Sequence, residues 1–222
     1  AKDLALHIIS ALGSAGARGA VIEFAGSAID SLEVEARMTL CNMAAELGAF
    51  TAIIAPDEKT IAYLQGRPYA PKSAQWDAAA AYWRTLHSDP DARYDAEAVF
   101  DAADVRPMTT WGTSPEQAMP IGSAIPAETA DPARQEAQAR ARAYMGLEAG
   151  ASLSDLPITG AFIGSCTNSR LSDLRRAAQV LKGRHVAPHV RAICVPGSGG
   201  VKAAAEAEGI DRIFRDAGFE WR

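Results

Sequence analysis

Cysteine is scarce in this chain. Cys41, Cys166 and Cys194 are the only three in 222 residues. An odd number at wide spacing excludes a disulfide framework and fits reduced thiols. No Cys-x-x-Cys pair occurs, which limits any metal chemistry that needs several thiolates side by side. Lys and Arg form no cluster, and the formal net charge is −5. A non-specific nucleic-acid binder needs a basic patch, so that class is set aside and the acidic excess is read as solubility. No apolar run approaches the ~18 residues that a membrane helix needs. The opening Ala1–His7 lacks the charged-then-apolar build of a signal peptide. A cytoplasmic protein with no membrane partner is expected. There is no initiator Met, and the first residues read as a helix already under way, so the start is expected to be a cut inside a longer protein.

What is present is ordinary for a folded domain. Apolar residues make up 48% and charged residues 22%, which argues against disorder of the whole chain. There is no internal repeat and no low-complexity tract. Strand-like and helix-like segments alternate. Residues 3–13 suit a helix, with Leu4, Ile8 and Leu12 on one face. Residues 19–24 read as a strand. A helix is expected from Glu33 to Leu47 with Gly48 as its C-cap, then a strand over 49–54. Asp57 is placed to N-cap a helix over 57–65, and another helix spans 73–87. The polar stretch 88–95 is a loop; its repeated Asp lacks the spacing of an EF-hand. A strand is expected over 105–110, and Ser114-Pro-Glu-Gln117 carries helix-start chemistry. Residues 126–146 read as an exposed connecting helix. Strands over 158–163 and 190–195 alternate with helices over 172–181, 201–207 and 210–216, and a last strand starts near 218. This alternation predicts α/β layers with mostly parallel sheets.

Three segments could carry chemistry. Gly164-Ser-Cys-Thr-Asn-Ser-Arg170 joins a strand to an amphipathic helix. Cys166 would sit at a strand's carboxyl end, where open α/β sheets bind ligands, and near a helix N-terminus, which favours the thiolate. A half-buried structural cysteine is the plain alternative. A nucleophile with His185 or His189 as base is another. The helix over 33–47 is apolar or small from Met38 to Leu47 apart from Asn42 and Glu46, which are four apart and share a face. Burial on most sides would raise the Glu46 carboxyl and suit it to proton transfer; a structural pair with Arg37 or another cation is the alternative. Val195-Pro-Gly-Ser-Gly-Gly-Val-Lys202 is a glycine-rich turn before a helix, and it misses both the P-loop and Gly-x-Gly-x-x-Gly spacings. Thr110-Trp-Gly-Thr-Ser114 offers hydroxyls at a strand end, with helix capping as the plain account.

Taken together, these segments resemble the large subunits of 3-isopropylmalate dehydratases, a family within the aconitase superfamily. The resemblance rests on Val21-Ile-Glu-Phe-Ala-Gly26, Glu35-Ala-Arg-Met-Thr-Leu-Cys-Asn-Met43, Ile54-Ala-Pro-Asp57 and Thr110-Trp-Gly-Thr-Ser-Pro115. It continues through Phe162-Ile-Gly-Ser-Cys-Thr-Asn-Ser-Arg170, Val195-Pro-Gly-Ser198 and Ala217-Gly-Phe-Glu-Trp-Arg222. It implies aconitase-like three-layer α/β domains, one over 1–104 and a partial one over 105–222. It also implies that the family's first domain and its C-terminal cluster segment are missing. The implied activity is a hydro-lyase that interconverts 2- and 3-isopropylmalate in leucine biosynthesis, together with a small subunit. The implied cofactor is a [4Fe–4S] cluster with one open iron acting as a Lewis acid, absent or incomplete in this chain taken alone. By resemblance, Cys166 is a cluster ligand and Asn42 and Glu46 are the active-site pair. Thr113, Ser114, Thr167 and Asn168 contact a small hydroxy-dicarboxylic acid. The family's Ser-Met-Glu-Gly-Arg is replaced here by Glu33-Val-Glu-Ala-Arg37. Dehydratases of citramalate, dimethylmalate or homocitrate are therefore alternatives, and an RNA-binding or scaffold role is the non-enzymatic one.

Overall fold

The computed structural model describes residues 1–127, 129–164 and 167–222. These residues form two compact units, Ala1–Leu153 and Ser154–Arg222. Residue 104, where a boundary was expected, lies inside the first.

In the first unit, α1 (Lys2–Leu12) turns Ala5, Ile8 and Ile9 into the core. Strand β1 (Val21–Glu23) leads through the short α2 (Ser27–Ser31) to α3 (Val34–Met43), whose last turn tightens into a 3-10 turn over Ala44–Leu47. Gly48 ends it at φ +79, the left-handed cap expected from the sequence. Strand β2 (Thr51–Ile53) then pairs parallel to β1, with Ile22 opposite Ala52. Ile29, Leu40, Met43 and Leu47 close the core against α1.

Asp57 caps α4 (Glu58–Leu64) by accepting the Thr60 N–H at 3.0 Å. Helix α5 spans Ala74–Trp83, four residues shorter at its C-terminal end than expected. The 88–95 loop is pinned back onto β1, because Glu23 Oε2 accepts from Ser88 Oγ at 2.6 Å and from Tyr94 Oη at 3.0 Å. A small antiparallel pair follows, β3 (Met108–Thr110) with β4 (Ala118–Pro120). With α6 (Pro132–Met145) it encloses Trp111, Met119, Ile125 and Ala141.

The second unit is a three-stranded parallel sheet in the order β5 (Gly160–Ile163), β6 (Arg191–Cys194), β7 (Phe219–Trp221). Helices α7 (Leu171–Leu181), α8 (Gly199–Ala207) and α9 (Ile210–Asp216) form the crossovers. Ala161, Ile163, Ala192, Cys194, Phe219 and Trp221 face the helices and pack on Leu174, Ala205 and Phe214. Phe214 meets Phe219 edge-on at 5.4 Å, a favourable aromatic geometry. The alternate residues point the other way. Phe162 is 64% exposed there, and Arg191 and Arg222 both pair with Glu220. The α/β class with mostly parallel strands is as the alternation predicted. The β3–β4 hairpin and α2 were not anticipated.

Candidate functional site

The turn after β5 is knitted from several directions. Thr167 and Ser169 are buried, Ser169 to 3% exposure. Ser169 lies at φ +61, a region that L residues other than Asn and Asp seldom occupy. Asp173, in the first turn of α7, accepts the Arg170 N–H at 3.1 Å and the Asn168 Nδ2–H at 3.3 Å on one oxygen, Oδ2. The glycine-rich turn after β6 closes on the same place. The Gly197 N–H donates to Ser169 O at 2.9 Å, and the Val195 N–H donates to Ile163 O at 2.8 Å. Ser198 then caps α8 through the Val201 N–H at 3.2 Å. Thr167 and Asn168 are thus brought together at the carboxyl edge of the sheet, where open α/β sheets bind ligands. Cys166 lies outside the described residues.

His185 and His189 are exposed and precede β6. The Arg191 N–H donates to Thr159 O at 2.9 Å, so these histidines belong to the amino edge of the sheet. Residues 167–170 follow its carboxyl edge, about 10 Å away along a four-residue strand. The thiol of the Cys166–histidine alternative lies outside the described residues.

In the first unit the expected burial is corrected. Helix α3 buries one side, through Arg37, Leu40, Met43 and Leu47, while Met38, Asn42, Ala45 and Glu46 are exposed. Apolar composition alone did not say which sides would be covered. Glu46 therefore faces solvent. It does not pair with Arg37. Arg37, 5% exposed, donates to Leu32 O at 3.0 Å, Asp30 O at 3.1 Å and Asp57 Oδ2 at 2.6 Å. This guanidinium holds the Asp57 carboxyl down at about 2. Asn42 and Glu46 lie beside the segment entering β1, since the Ala17 N–H donates to Leu47 O at 2.9 Å and the Phe50 N–H to Ala20 O at 2.9 Å. That is the amino edge of the sheet.

Thr113 and Ser114 are brought together by Gln117, whose Oε1 accepts their N–H groups at 2.6 Å and 3.2 Å. The Gln117 N–H answers to Ser114 O at 3.0 Å. This is the helix-start chemistry expected from the sequence, and it fixes the turn above the buried Trp111. The Thr113 side chain is exposed. At the carboxyl edge of β1 and β2 there is also a shallow cleft of about 360 Å³ between Glu23, Ile53–Pro56 and Leu86–Ser88. It contains none of the anticipated site residues.

Two of the three cysteines lie among the described residues. Cys194 is fully buried in the core of the second unit, and burial pushes its thiol up to about 11. Cys41 is half-buried on α3, and desolvation raises its thiol as well. Among the described residues no group of three His, Cys, Asp or Glu is placed to hold a metal. Cys166, the cluster ligand implied by the resemblance, is not one of the described residues. Among the described residues no helix is long and apolar enough to cross a membrane. Compared with known protein families, residues 1–222 match the aconitase family (aconitate hydratase) over their full length.

Proposed function

We propose, for a chain that belongs to the aconitase family, that it is the large-subunit part of a hydro-lyase interconverting 2- and 3-isopropylmalate. The family is one of hydro-lyases whose members typically bind a [4Fe–4S] cluster. The single observation that carries the reading is that this match spans every residue of the chain. The finer choice of substrate rests on the motifs quoted above. Arg37, shared with the family's Ser-Met-Glu-Gly-Arg, gives its guanidinium to Leu32 O, Asp30 O and Asp57 Oδ2. The substituted positions are 33, 34 and 36, and citramalate, dimethylmalate and homocitrate are the alternative substrates.

The roles proposed here are those of the chain's own side chains. Glu46, exposed on the helix surface, takes or returns the proton at the reacting carbon or hydroxyl. Asn42, on the same exposed strip, offers its amide to the substrate hydroxyl. Thr167 and Asn168, and Thr113 and Ser114, supply hydrogen bonds to carboxylates. A separate small subunit completes the pocket, in a cytoplasmic enzyme without nucleic-acid or membrane partners.

Anaerobic reconstitution with iron and sulfide, followed by visible and EPR spectra, tests the cofactor side of this. The chain alone is expected to hold no stable cluster and to show no turnover. A stable cluster with dehydratase activity from these residues by themselves would overturn it. With the small subunit and a complete cluster site supplied, turnover of isopropylmalate should exceed that of citramalate and homocitrate. The reverse preference would replace the substrate.

A further inference from the structure

We infer that Asp173 and Gly197 are positioning residues for the turn Thr167–Arg170 and the Asn168 amide it carries, with Cys166, which precedes the turn in the chain, as its chemical reporter. The inference deepens the hydro-lyase reading and rests on it for the turn's purpose. The geometry stands without it. A helix start ordinarily needs one cap to satisfy its free N–H groups. The start of α7 carries more than that.

Asp173 Oδ2 gathers two donors from different parts of the turn, the backbone of Arg170 and the side chain of Asn168. One carboxylate therefore sets both the entry angle of the helix and the direction of the Asn168 amide. Gly197 acts from the turn that follows the neighbouring strand, β6. Its N–H donates to Ser169 O at 2.9 Å. A Cβ at Gly197 would stand 3.0 Å from Asn168 O and 3.1 Å from Ser169 O. Those are backbone atoms, which cannot swing aside as a flexible side chain could. Ser169 between them is held at φ +61 and buried. A backbone in a sparsely populated region persists only where its surroundings over-determine it. The two ties supply that determination, so the turn is set before any ligand arrives. Preorganised surroundings of this kind keep contacting groups in productive geometry.

Site-resolved alkylation of the reduced chain tests this without cofactor or turnover. Iodoacetamide at about pH 8 reacts with accessible thiolate, and peptide mass mapping gives a separate rate for each cysteine. Asp173→Ala and Gly197→Ala should each accelerate Cys166 by at least about fivefold, because the released turn opens locally. Asp173→Asn keeps a carbonyl oxygen as acceptor and should stay within about twofold of the unsubstituted chain. Fully buried Cys194 is the internal control and should stay protected in every variant. Unchanged Cys166 rates in Asp173→Ala and Gly197→Ala would overturn the inference. So would acceleration of Cys194 in step with Cys166, which would mark general loosening. If Gly197→Ala does not fold, the Asp173 pair decides the matter. A cluster or turnover test that fails would sink the hydro-lyase reading and leave this contrast intact.

Discussion

The two segments that carry the anticipated chemistry are built in opposite ways. The turn before α7 sits at the carboxyl edge of its sheet, is buried at Thr167 and Ser169, and is tied by Asp173 and Gly197. The end of α3 sits at the amino edge of its sheet and presents Asn42 and Glu46 to solvent. The rule that open α/β sheets bind ligands at their carboxyl edge would have found the first segment and missed the second. The difference teaches that a turn can be finished within its own unit, whereas an exposed helix face gains its chemical environment from whatever comes to cover it.

The largest effect that sharpens this contrast lies under the finished turn. Phe214 is fully buried among Phe219, Trp221 and Leu174. Phe214→Ala should cost ~3–5 kcal/mol in urea unfolding, and Cys194 should become open to alkylation. A loss below about 1 kcal/mol would show that the helical layer does not anchor the sheet beneath the turn.

The next effect concerns the buried side of α3. Arg37→Met removes three hydrogen bonds and should cost about 2–3 kcal/mol near neutral pH. The loss should depend on pH in a known direction. Asp57 sits at about 2 in the fold against an ordinary 3.8, so its stabilisation is present above about pH 4 and is lost as pH falls toward 2. The gap between variant and parent in urea midpoint should therefore narrow across that window. A gap that stays constant there would mean that Arg37 acts through the two carbonyls and not through Asp57.

The smallest effect on stability belongs to the exposed side of the same helix. Glu46→Gln should change stability by no more than about 0.5 kcal/mol, as solvent-facing substitutions do. In the complete enzyme it should lower turnover by about a hundredfold or more if the carboxylate moves a proton. A large stability loss would show that Glu46 is structural. Unchanged turnover would remove it from the mechanism.

Much of the architecture was legible because local chemistry and tertiary outcome agree. Gly48 ends the α3 segment and Asp57 starts α4 where cap preferences put them. The alternation of elements from 158 onward translates directly into β5 to β7 and their crossovers. The hairpin of β3 and β4 escaped notice because Ala118-Met-Pro120 is three residues long and shows no clear alternation. Helix α5 stops at Trp83 although the residues to 87 have adequate helix propensity, since propensity sets ends poorly.

The candidate site divides the same way. Residue types and spacing alone marked Cys166, Asn42, Glu46 and the Trp111–Gln117 turn, because a thiol, an amide or a carboxylate amid apolar and small residues is visible in one dimension. Only the tertiary structure turned Asn42 and Glu46 outward, gave Arg37 to Asp57, shut Cys194 in the core and set Gly197 against Ser169. The physical reason is that burial and close approach are relations between segments distant in the chain. Local pattern fixes which residues could carry a proton or bind a metal, and packing decides which of them meet water, a partner or one another.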